Sequence, residues 1–298
     1  MSERADHRIL VRSTNWIGDV VMSLPALREI RRLFPESQIT LFGRKWVGGV
    51  LAEQKLVDEL LLLGNDQRAL PLFRRLDGYD LAILLQNAFE AALMTFLARI
   101  PERAGYSVQG RGPLLTRKAS PRIGKLKRHQ VYYYLDLLFQ TGLSPVDYLA
   151  EEAFSPDISL IPGPRGQEEA DRLCRSAGVD DAVPLVGLNP GATFGPAKRW
   201  MTDRYARLAD RLMEAGYGVA IVGSAAEKPL AAEIRRHMQR EPVIFSGRTT
   251  LEGLIALIAR CSLFITNDSG PMHLAAALDV PQIALFGSTD EIATGPFN

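Results

Sequence analysis

Apolar positions along this chain alternate between two periods. A short apolar run over residues 9–12 suits a buried strand, and beyond 13–18 a helical period passes through Val20, Leu24, Leu27, Ile30 and Leu33 until Pro35 closes it. Strand-like runs follow at 38–42, 57–62 and 81–85, with a helix over 88–99 and another over 132–139. Between the last two lies a Gly-rich, poorly periodic stretch, 105–127, which reads as a loop. Residues 155–165 hold Pro156, Pro162, Gly163 and Pro164, the composition of a connection between domains, and a boundary is expected near Pro162. The alternation then restarts: strands at 185–189, 218–222, 243–245, 263–266 and 282–285, helices at 203–215, 225–238, 251–259 and 272–278. This order predicts two similar α/β units over 1–162 and 163–298, with ligands bound at the carboxyl ends of the strands in a cleft between the units. The sequence stops soon after a strand with no closing helix, so a truncated second domain is expected.

Composition narrows the class. A chain of 298 residues, 47% hydrophobic and 23% charged, is long enough for two cores. Residues 1–7 are polar with no apolar segment behind them, so no secretory signal is expected and the cytoplasm is the expected compartment. Gln86, Asn87 and Glu90 interrupt the most apolar stretch and argue against a membrane span. The two cysteines, Cys174 and Cys261, are far apart in sequence and predict neither a disulfide nor a zinc site. A net charge of +1 argues against nucleic acid as a partner. It hides a local run, however: Arg103, Arg111, Arg117, Lys118, Arg122, Lys125, Lys127 and Arg128 occur without an intervening acid.

Three strand-to-helix loops carry candidate chemistry. In the first, Asn15–Asp19, the carboxylate of Asp19 is either a helix cap or a general base. In the second, Asn189–Trp200, glycines permit close backbone approach, Thr193 offers a hydroxyl and Lys198 a point charge suited to phosphate, although the Walker A spacing is absent. In the third, Thr266–His273, the backbone N–H groups led by Ser269 and Gly270 form an anion site. There Asp268 either accepts hydrogen bonds from sugar hydroxyls or caps the helix, and His273 either faces the ligand or packs. Glu227, after another strand, is placed to bind a ribose diol.

Together these residues resemble the ADP-heptose:lipopolysaccharide heptosyltransferase family, inverting GT-B glycosyltransferases of family 9. Asp268–His273 is similar to the family motif D-[ST]-G-x-x-H, and Gly191–Trp200 is similar to the loop of second-type members. The resemblance covers essentially the whole chain. It implies that Asp19 is the base, that Lys198, Thr193, Ser269 and Gly270 hold the diphosphate, that Asp268 holds the heptose, and that Thr249 lies by the adenine. It further implies ADP-heptose as donor, no metal or other cofactor, and a lipid A core acceptor whose phosphates and Kdo carboxylates suit Arg103, Arg117 and Lys118. The implied protein is a monomer that can touch the inner face of the inner membrane. A first-type enzyme acting on Kdo2-lipid A, a nucleotide-sugar epimerase and a non-enzymatic sugar-nucleotide-binding module are the alternatives.

Overall fold

The structure, a computed structural model, describes residues 7–64, 70–151, 154–193 and 195–297. It divides into two compact units, Met1–Ile158 and Ser159–Asn298.

The first unit contains strands β1 (Arg8–Arg12), β2 (Gln38–Arg44), β3 (Glu59–Leu63), β4 (Leu81–Leu84), β5 (Glu102–Tyr106) and β6 (Arg117–Ala119). They form one parallel sheet in the order β3-β2-β1-β4-β5-β6. Central strands are apolar on both faces: Ile9, Leu10, Val11, Ala82, Ile83 and Leu84 are all buried, as a sheet covered by helices on both sides requires. Those helices are α1 (Ile17–Met22), α2 (Leu24–Leu33), α3 (Val47–Leu51), α4 (Phe89–Leu97), α5 (Ile123–Leu126) and α6 (Val131–Gln140).

Two local predictions need correction. The helix expected to run unbroken from Val20 to Leu33 is two helices, because Pro25 has no N–H to donate to Val21 O; at the break the Ser23 hydroxyl bonds back to Val20 O at 2.8 Å. The supposed loop over 105–127 contributes the end of β5, all of β6 and α5. Its strands are too short and too charged for periodicity to register, and β6 has only three residues.

The second unit opens with α7 (Pro164–Ser176), which was not anticipated. It packs against α10 (Leu251–Ala259), and a side chain at Gly166 would run into the backbone of Glu252. The remaining elements are β7 (Leu185–Asn189), α8 (Thr202–Glu214), β8 (Gly218–Ile221), α9 (Lys228–His237), β9 (Val243–Ile244), β10 (Leu263–Asn267), α11 (Gly270–Ala277), β11 (Gln282–Leu285) and α12 (Glu291–Thr294). Their parallel sheet has the order β11-β10-β7-β8-β9. In each sheet the strand order therefore reverses once, between β1 and β4 in the first and between β7 and β10 in the second. Such a switch point opens a crevice at the carboxyl ends of the strands, where ligands of this architecture bind. Among the described residues, no helix is long and apolar enough to cross a membrane.

Candidate active site

In the first unit the chain leaves β1 at the switch point and reaches Asp19 on the opening turn of α1. The cap position is Trp16, which makes no side-chain cap bond. Asp19 is thus not the helix cap. Its Oδ1 accepts a hydrogen bond from the Tyr134 hydroxyl of α6, at 3.3 Å. Burial pushes the Asp19 carboxyl above the ordinary 3.8, and the Tyr134 bond pulls it part of the way back. The Tyr134 phenol is itself raised well above 10, first by burial and then by the Asp19 charge, so it remains a donor. A half-buried carboxylate with one donor, at a switch point, has the makings of a general base.

In the second unit the two loops that flank the switch point meet. Lys198 Nζ lies 2.6 Å from Asp268 Oδ2, and Thr289, just beyond β11, donates to the same oxygen at 2.7 Å. Asp268 is 8% exposed and Lys198 19%, so the pair is shielded without being sealed off. The cap position of α11 is Ser269, so Asp268 is not a helix cap either. Two buried asparagines hold the loops. Asn189 donates to Thr266 Oγ1 at 2.9 Å and to Ser269 Oγ at 2.7 Å. Asn267 donates to Pro190 O at 2.8 Å and accepts from Trp200 N and the Tyr205 hydroxyl, both at 3.1 Å. Both ends of the Lys198 loop are thereby tied to the end of β10. Ser269 Oγ accepts from Asn189 and lies 3.4 Å from Thr266 Oγ1, where either hydroxyl can donate.

The other expected residues fall as follows. Thr193 is exposed on the Lys198 loop, and its neighbour Phe194 lies outside the described residues. Glu227 reaches that loop as well. Its Oε2 accepts from Ser224 N at 2.6 Å in a capping box, and a side chain at Gly191 would collide with its carboxylate. Thr249 is half-buried beside Thr250, which caps α10 by accepting from Gly253 N at 3.0 Å. His273 is buried in α11, 6% exposed.

Arg103 and Arg117 are bonded within the first unit. Arg103 donates to the Leu114, Ile100 and Pro101 carbonyls, and Arg117 pairs with Glu102 at 2.8 Å and donates to Thr141 O. Lys118 is exposed on β6. The basic run is less basic in space than in sequence, since Arg122 pairs with Asp136 and Asp147, acids supplied by later residues. Among the described residues, no group of three or more His, Cys, Asp or Glu could hold a metal ion.

The family model for glycosyltransferase family 9 (heptosyltransferase) matches residues 70–298. This chain belongs to that family. It is 33% identical to the lipooligosaccharide heptosyltransferase 2 of Haemophilus ducreyi, over 98% of this chain and 86% of that protein. The lipopolysaccharide heptosyltransferase 2 of Salmonella typhimurium is 32% identical with the same two coverages, 98% and 86%. Among solved structures, Escherichia coli ADP-heptose lps heptosyltransferase II superposes with a TM-score of 0.85 at 30% identity, covering 98% of this chain and 88% of that one. A glycosyl transferase family 9 protein of Veillonella parvula gives 0.86 at 25% identity, with 99% and 85% covered. The resemblance drawn from Asp268–His273 and Gly191–Trp200 is therefore established, as is the GT-B class with its two Rossmann-like units. These relatives favour neither the first-type enzyme nor the epimerase.

Within this family-9 enzyme, sequence reasoning gave no role to Tyr134 or Thr289 and held Asn189 and Asn267 only as members of the candidate loops. Asn189, Asn267 and Thr289 each stand at or just past the carboxyl end of a strand, which was the signal available. Tyr134 looked like one more apolar position on its helix, and only the fold brings it to Asp19.

Tyr134 also provides a test of the base. In Tyr134→Phe burial acts on Asp19 unopposed, so its pKa rises further and the acid limb of the pH–rate profile moves to higher pH. A limb that stays in place while the variant remains folded would mean that Asp19 is not the group titrating.

Proposed function

We propose that this protein transfers L-glycero-D-manno-heptose from ADP-heptose to the heptosyl-Kdo2-lipid A inner core, with inversion. The first unit serves the acceptor and the second the nucleotide sugar. Asp19 takes the proton from an acceptor hydroxyl as that oxygen attacks the anomeric carbon, and the bond from that carbon to the diphosphate oxygen breaks on the opposite face. The departing ADP gains negative charge. Lys198, the Ser269 hydroxyl and the N–H groups at the start of α11 favour the transition state because they meet that charge as it grows. Thr193 and Gly270 complete the phosphate contacts, Asp268 and His273 face the heptose, Glu227 holds the ribose and Thr249 the adenine.

The observation that carries this reading is the Lys198–Asp268 pair, with its ammonium ready to become the diphosphate's counter-ion. When phosphate recruits Lys198, Asp268 is freed to accept hydrogen bonds from sugar hydroxyls. Because the counter-charge is a lysine already in place, no divalent ion is needed. Of the basic residues expected at the acceptor, exposed Lys118 retains that role best, since Arg103 and Arg117 are bonded within the fold. The enzyme acts as a monomer at the inner face of the membrane that carries its acceptor.

The test is to incubate the protein with ADP-heptose and defined lipid A acceptors and weigh the products. A gain of one heptose on heptosyl-Kdo2-lipid A, undiminished by chelator, is expected. Extension of Kdo2-lipid A alone would make it a first-type enzyme, and loss of turnover with chelator would overturn the reading of Lys198.

A further inference from the structure

Arg12 ends β1 in a strand whose interior residues Ile9, Leu10 and Val11 are fully buried, yet it is itself only 3% exposed. Its Nη1 donates to Ser13 O at 3.1 Å and Phe42 O at 3.0 Å, and the guanidinium carbon lies 4.8 Å from the centre of the Phe42 ring. Its Nε has no partner. Thr14 Oγ1 and Asn15 Oδ1, buried two and three residues further on, have none either. Packing does not require an arginine here, because Phe42 O already accepts Ser13 N in the ladder at 3.0 Å and an aliphatic side chain would cover the ring. Burial and the Arg44 guanidinium together pull Arg12 down to about 10, with Glu90 the one acid acting the other way. A buried cation beside a second cation, with its Nε unsatisfied, is costly until an anion joins it. Arg44 is half-buried and Glu90 is exposed.

The geometry points to an oxyanion subsite at the carboxyl ends of β1 and β2, where Arg12 receives a carboxylate or phosphate of the acceptor on its Nε edge and Thr14 and Asn15 bond adjoining hydroxyls. This inference rests on the acceptor reading above. Nε and Nη2 lie on one edge of a planar fork whose spacing matches two oxygens of a carboxylate or phosphate, while Nη1 on the other side is occupied by backbone. The loop that carries Thr14 and Asn15 runs straight on to Asp19. An anion held at Arg12 is therefore registered against the base by one short, largely buried segment. Arg103 and Arg117 differ, since Nε and Nη1 of each already donate within the fold.

The experiment compares wild type with Arg12→Gln and Arg12→Lys on three acceptors: native, carboxyl-reduced and dephosphorylated. Arg12→Gln should raise the native acceptor's KM about 10- to 100-fold, the scale of one lost charge-assisted hydrogen bond, and leave donor KM within about twofold. Arg12→Lys should recover part of the loss. Wild type should prefer the native acceptor over one neutralised form, and Arg12→Gln should lose that preference; the form concerned tells carboxylate from phosphate. Titration of the deacylated acceptor saccharide into donor-free protein reads the same subsite without turnover, and Arg12→Gln, or Arg12→Lys if the former does not fold, should weaken it. Unchanged acceptor binding in a folded variant, or a preference that survives for both neutralised forms, would overturn the subsite. Absence of transfer by wild type on every acceptor would count against the proposed function instead, and the titration would still decide the subsite.

Discussion

Asp19→Asn is expected to lose about 10²- to 10⁴-fold in kcat while donor KM stays nearly constant. Asparagine has almost the same shape and can still accept from Tyr134, but it cannot take up a proton. The same change should raise thermal stability at neutral pH. The folded-state pKa of Asp19 lies above its ordinary 3.8, so the native state binds the proton more tightly than the unfolded one. Stability associated with Asp19 is therefore fully present below 3.8 and falls as pH rises through the elevated folded value. Asparagine has no charge to bury and escapes that loss. The melting-temperature gain of the variant should be largest at neutral pH and shrink below about pH 4. Near-normal kcat would remove Asp19 from the role of base, and a variant less stable at neutral pH would contradict the raised pKa.

Such opposition between stability and activity separates what was legible in the sequence from what was not. Alternation of strand and helix was readable because the central strands are buried on both faces, as in β1 and β7, whose apolar runs differ plainly from helical periods. Edge elements were not. β6 is three residues long and carries Arg117 and Lys118, so neither its length nor its polarity distinguishes it from a loop. Asp19, Lys198 and Asp268 stood out because each follows a strand, and the sheets place all three beside a switch point. The basic run misled for a physical reason. Counting charges along the chain cannot see that Asp136 and Asp147 return to Arg122, or that Arg103 is used up on carbonyls. Arg12 was hidden in the opposite way, as the last residue of a strand-like run whose burial only coordinates could disclose.

Lys198→Met should produce the second large effect, and it differs in kind from that of Asp19. Removing one preorganised charge that meets the leaving diphosphate is expected to lower kcat/KM for ADP-heptose about 10²- to 10³-fold, with ADP binding weakened as well. Methionine keeps much of the stem's packing. Without the ammonium, Asp268 retains, among the described residues, the Thr289 hydroxyl at 2.7 Å, and a carboxylate that is 8% exposed is left without its cation. Folding stability should therefore fall, by roughly 1–3 kcal/mol. Lys198→Met/Asp268→Asn tests whether the two losses share a cause. If Asp268 is freed only when phosphate recruits Lys198, the double variant should regain the stability lost by the single one and no activity, because the counter-charge is still missing. Activity losses that simply multiply, with no recovery of stability, would mean that the two side chains are neighbours without a common task, and the exchange of partners on donor binding would have to be abandoned.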